Sequence, residues 1–227
     1  MVKKTSDELI CDLVDYVREE KKRFIFISGN GGSGKTELAK RIVAYASQFG
    51  HANAIDMDDF VVDTTLRKSA ALEWEVDGEK LTGRCTTSFK AAYFIQNVQA
   101  IIANVVLNNN YYHWPKKAKS IDECKLLYGD AVITVVEGIG SVFLNKSIVD
   151  SISVFIECNE DVEAKRRLQR KRFSNEQTIE DIKKDSIERN SQYKALILPH
   201  REEHDLILTS NEDYSISIVK DRFNIIR

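Results

Sequence analysis

The sequence predicts an α/β fold in which one parallel sheet is covered by helices on both faces. Three observations carry that prediction. Short apolar runs end abruptly in glycine or acidic residues, amphipathic helical stretches alternate with those runs, and a glycine-rich segment with a lysine fills the first strand-to-helix turn. A chain of 227 residues fits one domain of this kind, residues 1–227, with a small inserted part.

Taken in order, Thr5 and Glu8 have capping-box spacing, and Leu9, Leu13 and Val17 recur on one face of the helix they open. Phe24 to Ser28 is an apolar run stopped by glycine, as a buried parallel strand would be. A helix follows with Leu38, Ile42, Tyr45 and Phe49 on one face, closed by Gly50. Ala52 to Ile55 reads as a second strand ending in Asp56, Asp58 and Asp59. Residues 61–88 are charged, lack a sustained period, and read as a loop-rich insertion. Phe94, Val98, Ile101 and Val105 mark a long helix ending at Asn108-Asn109-Asn110. Tyr111 to Lys119 is aromatic and basic and is broken by Pro115. Ala131 to Val136, Ile152 to Ile156 and Asp205 to Leu208 are the remaining strands. Helices over Glu160–Arg172 and roughly Glu176–Leu196 separate the last two. In such sheets ligands bind at the carboxyl ends of the strands, and each chemically suggestive cluster here falls just after a strand.

Composition excludes several partner classes. Lys+Arg (33) and Asp+Glu (35) nearly cancel, so neither a nucleic acid nor a membrane surface is expected as partner. The four cysteines show no C-x-x-C pair and read as free thiols in a reducing compartment. The first twenty residues are amphipathic and acidic, unlike a targeting peptide, and no apolar run approaches a membrane span. A cytoplasmic protein is expected.

Gly29-Asn30-Gly31-Gly32-Ser33-Gly34-Lys35-Thr36 matches G-x-x-x-x-G-K-[ST] at every fixed position. A ring of backbone N–H groups surrounds polyphosphate only where the chain turns through conformations that favour glycine. Lys35 then sets a point charge on the β and γ phosphates, and Thr36 offers a hydroxyl to Mg²⁺. The helix that follows points its positive end at the anion. A chance match in a chain this long has a probability on the order of 1%. ATP and Mg²⁺ are the expected ligands.

Two acidic positions bear on where the phosphoryl group goes. A carboxylate from Asp56, Asp58 or Asp59 at the end of the second strand could take a proton from an attacking hydroxyl or hold a water on Mg²⁺. Glu137 follows AVITVV, where phosphate-loop proteins place the acid that completes the metal shell. Lys165, Arg166, Arg167, Arg170, Lys171 and Arg172 crowd one helix. Arg166, Arg167 and Arg170 are spaced to converge and neutralise a transferring phosphoryl group, although a solvated face or an RNA-contacting patch would have the same composition.

The segments SGNGGSGKT, MDDF, VEGIG, FIECNEDVEAKRRLQR and HDLIL, over roughly residues 23–209, resemble the uridine kinase-like family of P-loop kinases. That resemblance implies a P-loop NTPase fold with a five-stranded parallel sheet flanked by helices, a substrate-side insertion over 61–119 and a helical lid over 160–175. It implies that Asp58 is the base, that Glu137 supports Mg²⁺ together with Thr36 and Asp58, and that Arg166, Arg167 and Arg170 clamp the phosphates. The acceptor would be a small molecule, with a nucleoside such as uridine first and another metabolite second. The family's Y-D-aromatic segment reads Tyr112-His113-Trp114 here, so its ribose-holding aspartate is missing. Asp59, Trp74, Tyr112, His113 and Trp114 are the candidate acceptor contacts. Two other classes fit less well. A nucleotide switch lacks its N-K-x-D motif, and an RNA-binding module conflicts with the near-neutral charge.

Overall fold

A computed structural model describes residues 3–171 and 179–227. Its strands are β1 (Lys3–Lys4), β2 (Phe24–Ser28), β3 (Ala52–Asp56), β4 (Ala71–Val76), β5 (Glu79–Arg84), β6 (Tyr111–His113), β7 (Lys125–Leu127), β8 (Ile133–Glu137), β9 (Ser151–Glu157), β10 (Leu206–Ser210) and β11 (Ile216–Asp221). Its helices are α1 (Ser6–Glu19), α2 (Lys35–Ala46), α3 (Thr64–Ser69), α4 (Ile95–Val106), α5 (Glu160–Lys171) and α6 (Ile179–Leu196).

The main sheet runs in the order β1-β11-β10-β9-β2-β8-β3. The five strands expected from the sequence are its parallel core, β10-β9-β2-β8-β3. The sheet is nevertheless wider than five strands. Antiparallel β11 pairs with β10, and the two-residue β1 pairs with β11. In β11, Ser217 interrupts the apolar residues Ile216, Ile218 and Val219, so the strand lacks the continuous apolar run that marks its parallel neighbours.

Strand β2 shows why helices cover both faces. Its side chains alternate across the sheet. Ile25 and Ile27 pack with α1 and α2 residues such as Leu13, Val17, Leu38 and Ile42. Phe24 and Phe26 point the other way, into a cluster with Val98, Ile101, Ile102 and Val105 of α4. All four β2 side chains are 0–1% exposed, and full burial of each contributes roughly 1.5–3 kcal/mol. Helix α1 begins with the predicted capping box, Thr5 and Glu8 satisfying each other's backbone amides.

Two sequence expectations change and one holds. Helix α2 ends at Ala46 with Ser47 as its cap, so Gly50 does not close it; Gly50 instead turns into β3 with φ 150°. Helix α4 does end at the asparagines, with Asn108 in the left-handed conformation that terminates helices. Residues 61–88 are not mainly loop. They contain α3 and a hairpin, β4–β5, turned at Asp77 (φ 52°) and Gly78 (φ 83°). An Asp-Gly pair flanked by the alternation Leu72, Trp74, Val76 is a strong hairpin signal, and the surrounding charge obscured it. Among the described residues, no helix is long and apolar enough to cross a membrane.

Candidate active site

The phosphate loop is fixed by close backbone approach. Gly29 has φ 138°, and a Cβ on it would lie 1.8 Å from the Ile156 carbonyl oxygen, so the loop leaves β2 pressed against β9. Gly34 caps α2 with φ 97°, a left-handed conformation suited to glycine. Asn30 stitches the loop to the end of β9. Its Nδ2 donates to the Cys158 carbonyl (2.9 Å) and its Oδ1 accepts from the Cys158 amide (3.0 Å). Ser33 donates to the Asn30 carbonyl at 2.9 Å, and Lys35 Nζ donates to the same oxygen at 2.6 Å. Lys35 is therefore drawn inward over the loop. Burial lowers its pKa, while Glu137, Asp58 and Glu163 act in the opposite sense.

The carboxylates gather at the ends of β3 and β8. Asp56 and Glu137 are register partners on those adjacent strands. Burial, and then Asp56, push the Glu137 carboxyl up to about 7, with a hydrogen bond to Thr36 and the Lys35 charge opposing the rise. Burial also raises Asp56, which accepts from the Asp58 amide at 2.8 Å and so caps the MDDF turn. Gly138 lets this turn pack, because a Cβ there would meet the Met57 Cβ at 2.6 Å. Ser141 holds β2 in place beneath the loop. It donates to the Ile27 carbonyl at 3.0 Å, so Ser28 is the donor in the 2.5 Å contact between the two hydroxyls.

Adjacent Asp58 and Asp59 have different surroundings. Asp59 is bonded to His113 Nε2 (3.1 Å) and to the Lys116 amide (3.2 Å). Burial alone would raise its pKa, but those two bonds and Lys125 bring it below the usual range. Asp58 is exposed, and among the described residues no hydrogen bond or ion pair holds its carboxylate. Its field reaches both Lys35 and Tyr93.

The basic helix divides its arginines. Arg166 is buried and donates to the carbonyls of Gly32 (2.9 Å) and Asn211 (2.5 Å) and to Ser210 Oγ (3.0 Å). Arg167 lies on another side of α5, beside Gly31, and is paired with Glu163. Arg166 thus meets the loop at Gly32 and Arg167 meets it at Gly31. The Arg170 side chain lies outside the described residues, as does Arg172.

The family model for the phosphoribulokinase/uridine kinase family matches residues 24–217. This chain belongs to that family. It is a P-loop small-molecule kinase, a nucleotide-binding transferase. Three solved structures share the fold. The YGR205w protein is 14% identical with a TM-score of 0.63, covering 95% of this chain and 98% of its own. A D-glycerate 3-kinase from Cryptococcus neoformans var. grubii is 10% identical, with a TM-score of 0.60 and coverage of 94% and 97%. Phosphoribulokinase from Rhodobacter spheroides is 12% identical, with a TM-score of 0.59 and coverage of 91% and 74%. No curated protein matches the chain significantly.

On the acceptor side of the kinase, the aromatic candidates are dispersed. Trp74 is 7% exposed; it meets Phe89 edge-on and donates Nε1–H to Ser191 Oγ at 2.9 Å, so its ring is engaged in packing. His113 is buried, stacked on Phe60 and bonded to Asp59. Tyr112 and Trp114, its neighbours along β6, are exposed (63% and 54%). Sequence reasoning missed two groups. Tyr93 is buried within the field of Asp58 and donates to the Thr87 carbonyl at 2.9 Å. Tyr214, in the β10–β11 turn with φ 64°, sits 4.4 Å from the Arg166 guanidinium. Tyr214 and Arg166, with Gly32, Gly34 and Leu38, border a cavity of about 580 Å³ on the outer side of the loop. No motif flags either tyrosine, although the polar run Asn211-Glu212-Asp213 does mark the turn.

Proposed function

We propose that this kinase transfers the γ-phosphoryl group of ATP to a hydroxyl of a small acceptor, with Asp58 as the base. The observation that carries this reading is the contrast at the end of β3. Asp56 caps the turn and Asp59 is held by His113, so Asp58 alone presents an open carboxylate toward the Lys35 ammonium. A carboxylate so placed can accept the acceptor's proton as its oxygen attacks in line. Lys35 stabilises the charge that spreads over the transferring oxygens, and the amides of Gly31 to Lys35 hold the phosphate chain. The roomy cavity beside Tyr214 and Arg166 suits the base of the donor nucleotide.

The donor set fits Mg²⁺. Thr36 and Glu137 lie within hydrogen-bond reach of each other, with Asp56 and Asp58 nearby. Among the described residues, no group of three or more His, Cys, Asp or Glu side chains could hold a metal alone. Mg²⁺ commonly keeps waters and phosphate oxygens beside one or two protein ligands, so a sparse set is suitable. Thr36 and Glu137 would hold the ion, which would offset the negative charge of the phosphate chain. Arg166 supports the loop through the Gly32 carbonyl, while Arg167 lies beside Gly31.

The test is ADP release with Mg²⁺-ATP across nucleosides, sugars, sugar phosphates and hydroxy acids. Asp58→Asn is expected to lower kcat by about 10²–10⁴, and Lys35→Ala by about 10³. Asp58→Asn turnover within about threefold of wild type would remove Asp58 as the base. Tight ATP binding with no acceptor-dependent ADP would favour the switch reading.

A further inference from the structure

Beyond the phosphate loop lies a second concentration of positive charge. Helix α6 runs against the β4–β5 hairpin and the strand that leaves it. Trp74 donates to Ser191, Gln192 Nε2 donates to the Arg84 carbonyl (3.1 Å), and Thr86 Oγ1 is bonded to Gln192 Oε1. This docking brings Arg189 of α6 among Arg167, Arg84 and Arg67, all of which act on it as like charges.

The carboxylates near this group already have partners. Arg84 takes both Asp185 (2.6 Å) and Glu188 (3.0 Å), and Arg167 takes Glu163. Arg67 donates to the carbonyls of Val62 (2.9 Å) and Cys85 (3.3 Å) and to Thr64 Oγ1 (3.3 Å). Arg189 is half-buried, and among the described residues it has no ion pair within 4.0 Å. Asp185, whose field favours the Arg189 charge, is held by Arg84. Burial and the surrounding guanidinium groups lower the Arg189 pKa, as expected of a cation in a place short of negative charge. Arg84 Nε is also buried, without an aligned hydrogen-bond acceptor.

The location of Arg189 gives that imbalance a use. Arg189 and Arg167 line a small cavity with Gly31 of the phosphate loop, Thr87, Ser88, Tyr193 and Glu163, whose carboxylate is already paired with Arg167. Thr87 is bonded to Tyr93, and Tyr93 bridges to Val61, just past the MDDF turn that carries Asp58. The cavity therefore opens between the donor phosphates and the proposed base, where an acceptor must lie. At about 10 Å³ it is no larger than one water, so a ligand has to displace the side chains that line it.

We propose that the acceptor carries an anionic group, a phosphate or a carboxylate, and that Arg189 binds it beside Arg167 and Ser88. This deepens the phosphoryl-transfer reading and rests on it. A neutral nucleoside would leave Arg189 uncompensated, whereas an anion supplies the charge that the cluster lacks. Substrates are then distinguished by charge and by reach from Arg189 to Asp58, without an aromatic platform.

The experiment fills the donor site first. Wild type, Arg189→Ala and Arg189→Lys are saturated with Mg²⁺ and a non-hydrolysable ATP analogue, and inorganic phosphate, lactate and uridine are titrated by calorimetry. Phosphate or lactate is expected to bind loaded wild type and uridine is not. Arg189→Ala should weaken anion binding at least tenfold, with analogue affinity unchanged within twofold, and Arg189→Lys should recover part of the loss. The stronger anion identifies the source, a phosphorylated or a carboxylated acceptor. Equal anion affinity in wild type and Arg189→Ala, no anion binding to loaded wild type, or a loss confined to the analogue would each overturn the assignment. An analogue that does not bind wild type at all would sink the phosphoryl-transfer reading and this inference with it.

Discussion

The phosphate loop and the inserted hairpins of this kinase are held together in different ways. At the loop the backbone itself sets the geometry. Gly29 lies against the Ile156 carbonyl, Asn30 is bonded both ways to the Cys158 backbone, and Arg166 grips the Gly32 carbonyl. In the insertion, short hairpins are fastened by side-chain pairs: Trp74 with Ser191, Thr86 with Gln192, and His113 with Asp59. Backbone approach tolerates few residue types, whereas a side-chain pair can be exchanged as a unit without refolding the sheet. Shared phosphate chemistry can thus coexist with an insertion particular to this chain.

The sharpest way to break that comparison is to add one carbon atom to the phosphate loop. Gly29→Ala places a Cβ 1.8 Å from backbone oxygen at an unfavourable φ. It should cost on the order of 3 kcal/mol or more in urea denaturation. A loss under about 1 kcal/mol would show that the loop yields and is not fixed by the β9 contact.

A second prediction concerns buried charge under the parallel core. His204 packs edge-on against Phe155 with its Nε2 3.4 Å from Lys146 Nζ. Burial, and then the Lys146 charge, hold its pKa down to about 4. The unfolded chain therefore binds this proton below about pH 6.5 while the folded chain does not until about 4. Stability should fall as pH drops through that window and level off below it. The loss assigned to His204 is roughly 1–3 kcal/mol, and His204→Gln should remove it from the pH–stability curve. An unchanged curve would show that the His204 imidazole is not kept neutral by its surroundings.

The smallest effects belong to the aromatics of the insertion, and their ranking tests whether those residues pack or bind. Trp74→Phe loses the bond to Ser191 and should cost about 1 kcal/mol with kcat unchanged. Replacing exposed Tyr112 and Trp114 by alanine should change stability by less than about 0.5 kcal/mol. A tenfold rise in acceptor KM from the latter pair would place the β6 hairpin in the substrate site.

Legibility in the sequence followed the same division. GNGGSGKT was readable because polyphosphate binding restricts both residue type and spacing, and the buried parallel strands were readable because both their faces are apolar. The β4–β5 hairpin was harder to see, since its Asp-Gly turn is set among Glu73, Glu75, Glu79 and Lys80. Strand β11 was missed because Ser217 interrupts its apolar run.

The sequence by itself determined the five parallel strands, the phosphate loop and the acidic strand ends, because each depends on a local pattern of residue types. Only the tertiary structure decided which of two adjacent aspartates stands free, that Trp74 belongs to the packing, and that Arg189 joins three other arginines near the loop. Those outcomes depend on which distant side chains neutralise or cover one another. Charge compensation between residues tens of positions apart leaves no periodic trace along the chain.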